Sequence, residues 1–106
     1  MKVQNMTSAN GNKVANQFII RGYKHHGSAT KLPMSTNRIE AFQSYDSVIA
    51  EKEYFPDGVQ VKLDRKYWDY SVTTSKYRNQ FLGEAKKETK AKIDSGEYIL
   101  TDLNEG

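Results

Sequence analysis

The sequence predicts an α+β fold: a mainly antiparallel β-sheet of about four to five strands, with two short helices between the last two strands. Three observations support this. Runs at 14–23, 47–55 and 59–63 are strand-length and carry β-branched or aromatic residues. Two following runs, to Leu82 and over 84–95, have helical spacing, and each is followed by a glycine. A last extended run occupies 97–103. The 106 residues fit one domain, placed at 13–104.

Residues 1–12, rich in Ser, Asn and Gly, read as a flexible N-terminal tail. In 14–23 the buried portion is expected at Phe18, Ile19 and Ile20. Turn formers and one proline make 24–37 read as a long loop insertion. Next, 38–45 alternates, with Ile39, Ala41 and Gln43 opposite Glu40, Phe42 and Ser44. The run 47–55 continues extended to Pro56-Asp57-Gly58, where proline presets φ and glycine tolerates a reversal. The chain then returns with Val59, Val61 and Leu63 on one face, a hairpin. Thr73 or Thr74 is expected to cap the first helix, Tyr77 and Phe81 share a face at i, i+4, and Gly83 ends it. The second helix carries a weak stripe of Ala85, Thr89 and Ile93, a Glu88–Lys92 pair, and Gly96 as its stop.

Hydrophobic content is only 37%, but seven Tyr, four Phe and one Trp supply much of the buriable area. Each fully buried large side chain contributes about 1.5–3 kcal/mol, so a thin core suffices. The absence of cysteine excludes disulfides and thiolate chemistry. No apolar run follows Lys2 as a signal peptide requires, and none approaches the roughly 18 residues of a membrane span. A soluble cytoplasmic protein with no membrane partner is expected. The net charge of +3 is unevenly spread: residues 62–92 hold nine Lys/Arg against Asp64, Asp69, Glu84 and Glu88, a local balance of +5. Such a segment suits phosphates or an acidic partner, and equally a solvated helix face.

No phosphate loop or nucleophile motif occurs, so no enzyme activity and no cofactor are expected. His25 and His26 lack a third ligand at metal-binding spacing and read as an exposed pair. Asp46, Asp64 and Asp69 each fit a turn or strand end better than a shared metal ion. What remains is the segment around the only tryptophan. Arg65, Lys66, Tyr67, Trp68, Tyr70, Lys76 and Arg78 combine cations with aromatics. Three uses fit: aromatics stacking on bases of DNA or RNA with cations on phosphates, a protein-binding hot spot rich in Trp, Tyr and Arg, or core packing.

The stretches FQSYDSVIA at 42–50, YWDYSVTTSKYRNQFLGE at 67–84 and SGEYILTDLN at 95–104 resemble a family of small bacteriophage and mobile-element proteins known only as a domain of unknown function. The likeness runs over about 11–104, with 24–37 longer than the family pattern. It implies a protein of the bacterial cytoplasm that acts stoichiometrically on a host protein or ribonucleoprotein complex, most concretely an anti-CRISPR-like inhibitor of an antiviral defence system. The alternative is a basic nucleic-acid-binding accessory protein for phage replication or transcription. Imitation of DNA by an acidic surface conflicts with the positive charge. A homodimer through the final strand is the further expectation, because an edge strand offers unpaired backbone groups.

Overall fold

A computed structural model describes residues 1–28 and 31–104. Strands β1 (Lys2–Thr7), β2 (Lys13–Ser28), β3 (Lys31–Ser44), β4 (Ser47–Phe55) and β5 (Gly58–Asp64) precede helices α1 (Val72–Leu82) and α2 (Lys86–Ser95), and β6 (Tyr98–Thr101) follows them. The six strands form one sheet in chain order, antiparallel from β1 to β5 and parallel between β5 and β6. A parallel neighbour needs a crossover of a dozen or more residues, and the two helices supply it.

The sheet is larger than the sequence predicts, with six strands in place of four or five. Residues 2–7, expected as tail, pair along β2 from Lys2↔Arg21 to Thr7↔Lys13. Most of the 24–37 stretch, expected as a loop insertion, continues the β2–β3 ladder through Lys24↔Asn37, His25↔Thr36 and His26↔Ser35. Positions 29 and 30 of that stretch lie outside the described residues. Neither segment alternates apolar and polar residues cleanly; the ladder bonds to a neighbouring strand supply the strand conformation. The β4–β5 hairpin forms as expected, with Phe55 opposite Gly58 across Pro56-Asp57.

Directly paired residues project to the same side of a sheet, so the register sorts the side chains into lines. One line crosses five strands: Ile19, Phe42, Ala50, Leu63 and Leu100. It lies under the helices, where Phe42, Ile49, Ala50 and Leu63 are buried with Tyr77 and Phe81 of α1. Gln17, next on the same side of β2, is fully buried, whereas Phe18, Ile19 and Ile20 are only half-buried. The apolar triplet was expected to be the buried portion, but Phe18 and Ile20 project from the opposite side of the pleat.

The N-cap of α1 is Ser71, whose Oγ accepts from the Thr74 N–H at 3.1 Å. Thr74, one of the two expected caps, instead faces the sheet fully buried, its Oγ1 2.8 Å from Ser44 Oγ. Gly83 and Gly96 end their helices in the left-handed conformation, at φ 72° and 85°. Lys92 pairs with Glu84 at 2.7 Å and not with Glu88; Glu84 also accepts from Thr89 and Tyr98, which fixes it over α2. No helix among the described residues is long and apolar enough to cross a membrane.

Candidate functional site

The basic-aromatic segment is the connection from β5 to α1, and buried Asp64 shapes it. One carboxylate oxygen accepts from the N–H groups of Lys66 and Tyr67, at 3.0 and 2.9 Å. The other accepts from Leu103 N–H at 2.8 Å, so three backbone donors hold Asp64. The Arg65 N–H donates to the Thr101 carbonyl at 2.7 Å, carrying the β5–β6 pairing into the turn. Asp69 lies elsewhere, 2.6 Å from Lys86 Nζ. Burial raises the Asp69 carboxyl's pKa, but Lys86, Ser75 and Arg78 outweigh it and hold it below the ordinary value. Among the described residues no group of three or more His, Asp or Glu side chains is placed to hold a metal ion.

Arg78 is the main correction. Expected as an outward contact, its side chain is fully buried. Nη1 donates to the Trp68 carbonyl at 2.5 Å, Nη2 donates to Asn79 Oδ1 at 2.9 Å, and the guanidinium lies 5.2 Å from the Trp68 ring centroid. A helix residue ten positions on thus clamps the loop. Trp68 and Tyr67 are half-buried against the core, so both act largely as packing. Tyr70 meets Tyr67 edge-on at 5.3 Å yet keeps 47% of its surface exposed. Beside it Val72 is 89% exposed. Arg65, Lys66 and Lys76 are also exposed, with the Lys66 and Lys76 ammoniums over the rings of Tyr67 and Tyr77.

The seven sequence-selected residues therefore divide. Trp68, Tyr67 and Arg78 form a bracket, while Tyr70, Lys66, Lys76 and Arg65 face solvent. Val72 joins the outward group, and sequence inspection missed it because a valine opening a helix normally reads as core. Tyr70, Val72, Ser75, Lys76, Asn79 and Lys86 line an open depression. It presents apolar surface beside ammonium groups.

The two histidines also separate. His25 Nδ1 lies 2.8 Å from Thr36 Oγ1 on one side of the sheet. His26, expected as part of an unremarkable pair, contacts Glu53 through Nε2 on the other. Glu53 is buried, which raises its pKa, but bonds from Asn37 and His26 and the charge of Lys24 hold it below the ordinary range.

No curated protein and no solved structure matches this chain. A model for a family of unknown function (DUF8033) covers residues 1–97, and the chain belongs to that family.

Proposed function

We propose that the protein is a non-enzymatic accessory protein of a bacteriophage or related mobile element. It docks onto a host macromolecular complex and, in the most concrete form, inhibits a bacterial antiviral defence system in the anti-CRISPR manner. The observation that carries the docking part is the pair Tyr70 and Val72, 47% and 89% exposed, which flank the Ser71 N-cap of α1 just after the loop that buried Arg78 clamps at the Trp68 carbonyl. Exposed apolar groups on a rigid support lose little entropy on binding, which is how hot-spot anchors work. Lys76 beside them suits an acidic rim on a partner protein, while Lys86 is already paired with Asp69. The phage and anti-defence parts are supported by the resemblance of 42–50, 67–84 and 95–104 to small phage proteins.

The test is phage plating efficiency on a host with an active defence system, with and without the expressed protein. The wild type is expected to restore plating and to co-purify stoichiometrically with a component of the system. A Tyr70→Ala, Val72→Asp double variant with unchanged thermal stability is expected to lose both effects. Failure of the wild type to change plating on any defended host rejects the anti-defence role, and equal capture by the double variant rejects the docking site.

A further inference from the structure

The helices cover only part of their side of the sheet. Beyond the core line, the register continues on that same side with a second line, Lys2, Arg21, Glu40 and Lys52. A third follows with Tyr23, Arg38 and Tyr54, and a fourth with His25 and Thr36. Tyr23 is 71% exposed, and Lys2, Arg21, Arg38, His25 and Thr36 are exposed around it. None of these residues belongs to the β5–α1 segment.

The chemistry of this surface is uneven in a specific way. Glu40 is the one carboxylate in these lines, and it is already engaged: Tyr54 donates to it at 2.6 Å and Arg21 Nε at 3.0 Å. Those two groups hold its pKa below the ordinary value, so it stays ionised and fixes Arg21 in place. Arg21 Nη1 also donates to Gln4 at 2.9 Å. Arg38 places its guanidinium carbon over the Tyr54 ring, 4.3 Å from the centroid, so the ring backs the cation from below. Lys52 points back to the helix and donates to the Phe81 carbonyl at 2.7 Å. Three cations, Lys2, Arg21 and Arg38, therefore ring one uncovered tyrosine.

From this geometry we propose a second binding surface, for a single-stranded polynucleotide lying across β1–β3 of the open sheet. Tyr23 offers a bare aromatic face and the Tyr54-backed Arg38 guanidinium a planar cationic one, and unpaired bases stack on both kinds of plane. Neighbouring strands lie about 4.8 Å apart, and residues two apart on a strand about 7 Å apart. Lys2 and Arg21, one line away from Tyr23, therefore sit where the backbone of a stacked strand passes. A duplex keeps its bases paired and offers no free face, so it uses the cations alone. This site is separate from the Tyr70–Val72 docking site and does not depend on it.

The experiment is fluorescence anisotropy of labelled oligo(dT) and oligo(U) of about 12 nucleotides, a length within the range one such surface covers, with a duplex control. Both single strands are expected to bind more tightly than the duplex at low salt, with a log–log salt slope of about −2 for three phosphate contacts. The DNA and RNA arms show whether the sugar is discriminated. Tyr23→Ala is expected to weaken binding about tenfold, within the range for loss of one stacked base, while Tyr23→Trp retains it. Arg21→Gln should reduce the salt slope by about 0.7, and Tyr70→Ala should leave binding unchanged. Melting temperatures of the Tyr23 variants should match the wild type, since the side chain is mostly in solvent. Absence of single-strand binding at low salt, equal binding of duplex, or an unaltered affinity in Tyr23→Ala overturns the proposal. So does a result in which Tyr23→Ala abolishes assembly with a host protein while no oligonucleotide binds.

Discussion

Replacing Arg78 by alanine tests whether the Trp68 loop is held from within. The cost can be worked from the bonds. Two are short, from Nη1 to the Trp68 carbonyl at 2.5 Å and from Nη2 to Asn79 Oδ1 at 2.9 Å. Hydrogen bonds from a charged donor contribute about 1.5–3 kcal/mol each. The contacts to Asp69 and Ser75 at 3.4 Å add little. Losing the guanidinium also strands little charge at Asp69, which keeps Lys86 at 2.6 Å. On the other side, burying a guanidinium carries a desolvation penalty that alanine relieves, and Nε has no partner among the described residues. The low end of the range for two bonds, about 3 kcal/mol, is the expected loss. That is a large part of the roughly 5–15 kcal/mol typical of a domain this size.

Trp68 is the only tryptophan, so its emission during urea unfolding reports both the loop and the global transition. Arg78→Ala is expected to lower the urea midpoint at nearly constant m, and to redshift native emission as the indole gains water. Arg78→Lys should recover part of the loss, since an ammonium reaches the carbonyl but cannot span to Asn79 at the same time. A loss below about 1 kcal/mol in Arg78→Ala, with native emission unchanged, would refute the bracket and return Arg78 to the surface contacts.

Two further outcomes are expected. Gln17 is fully buried, and neither end of its amide has a hydrogen-bond partner among the described residues. Burying such a group costs about 1–3 kcal/mol, so Gln17→Leu should raise the urea midpoint by an amount equivalent to about 1 kcal/mol; a fall of that size would show the amide to be satisfied. The second outcome concerns acid. Glu40, Glu53, Asp69 and Glu84 are all held below their ordinary pKa values in the folded state. For a depressed carboxyl, stability is fully present above the unfolded value of about 4 and is lost as pH falls through the folded one. Lys92 is raised by its bond to Glu84, so its contribution is present below the unfolded lysine value and is lost only in strong alkali. Melting temperature should therefore be flat from about pH 6 to 8 and fall below about pH 5, less steeply in Glu53→Gln. A profile flat to pH 3 would contradict the assignment of these partners.

What could be read from the sequence was what is encoded locally. The Pro56-Asp57-Gly58 reversal and the glycine ends of both helices each depend on one residue's own backbone preference, and each is where it was expected. Strand β1 was invisible because KVQNMT buries only Met6 and gains its conformation from pairing with β2. The β3–β4 turn was hidden for a different reason. Tyr45 occupies its left-handed position at φ 57°, where glycine or asparagine is the usual signal. Arg78 misled because a cation near aromatics reads the same whether it faces a ligand or a tryptophan beneath its own helix. Lys2, Tyr23 and Arg38 come together only through the register of two strand pairs, which no local pattern carries.

The distribution of aromatic residues argues for binding independently of either proposed site. Burying a tyrosine or phenylalanine stabilises a fold by about 1.5–3 kcal/mol, and a chain with 37% hydrophobic content has few such groups to spare. Yet the interior accepts Arg78, Glu53, Gln17, Thr74 and Thr89 as fully or almost fully buried groups, while Tyr23, Tyr45 and Tyr70 stay in solvent. An interior short of apolar groups would gain by exchanging these, since each outward tyrosine placed inside in their stead adds buried apolar area. Stability alone therefore does not account for the outward tyrosines. Two of the three, Tyr70 and Tyr23, lie beside exposed cations on supported backbone, the arrangement that recognises flat or acidic partners. The third, Tyr45, holds a backbone conformation that costs a non-glycine residue about 1–2 kcal/mol, so the same logic extends to the β3–β4 turn.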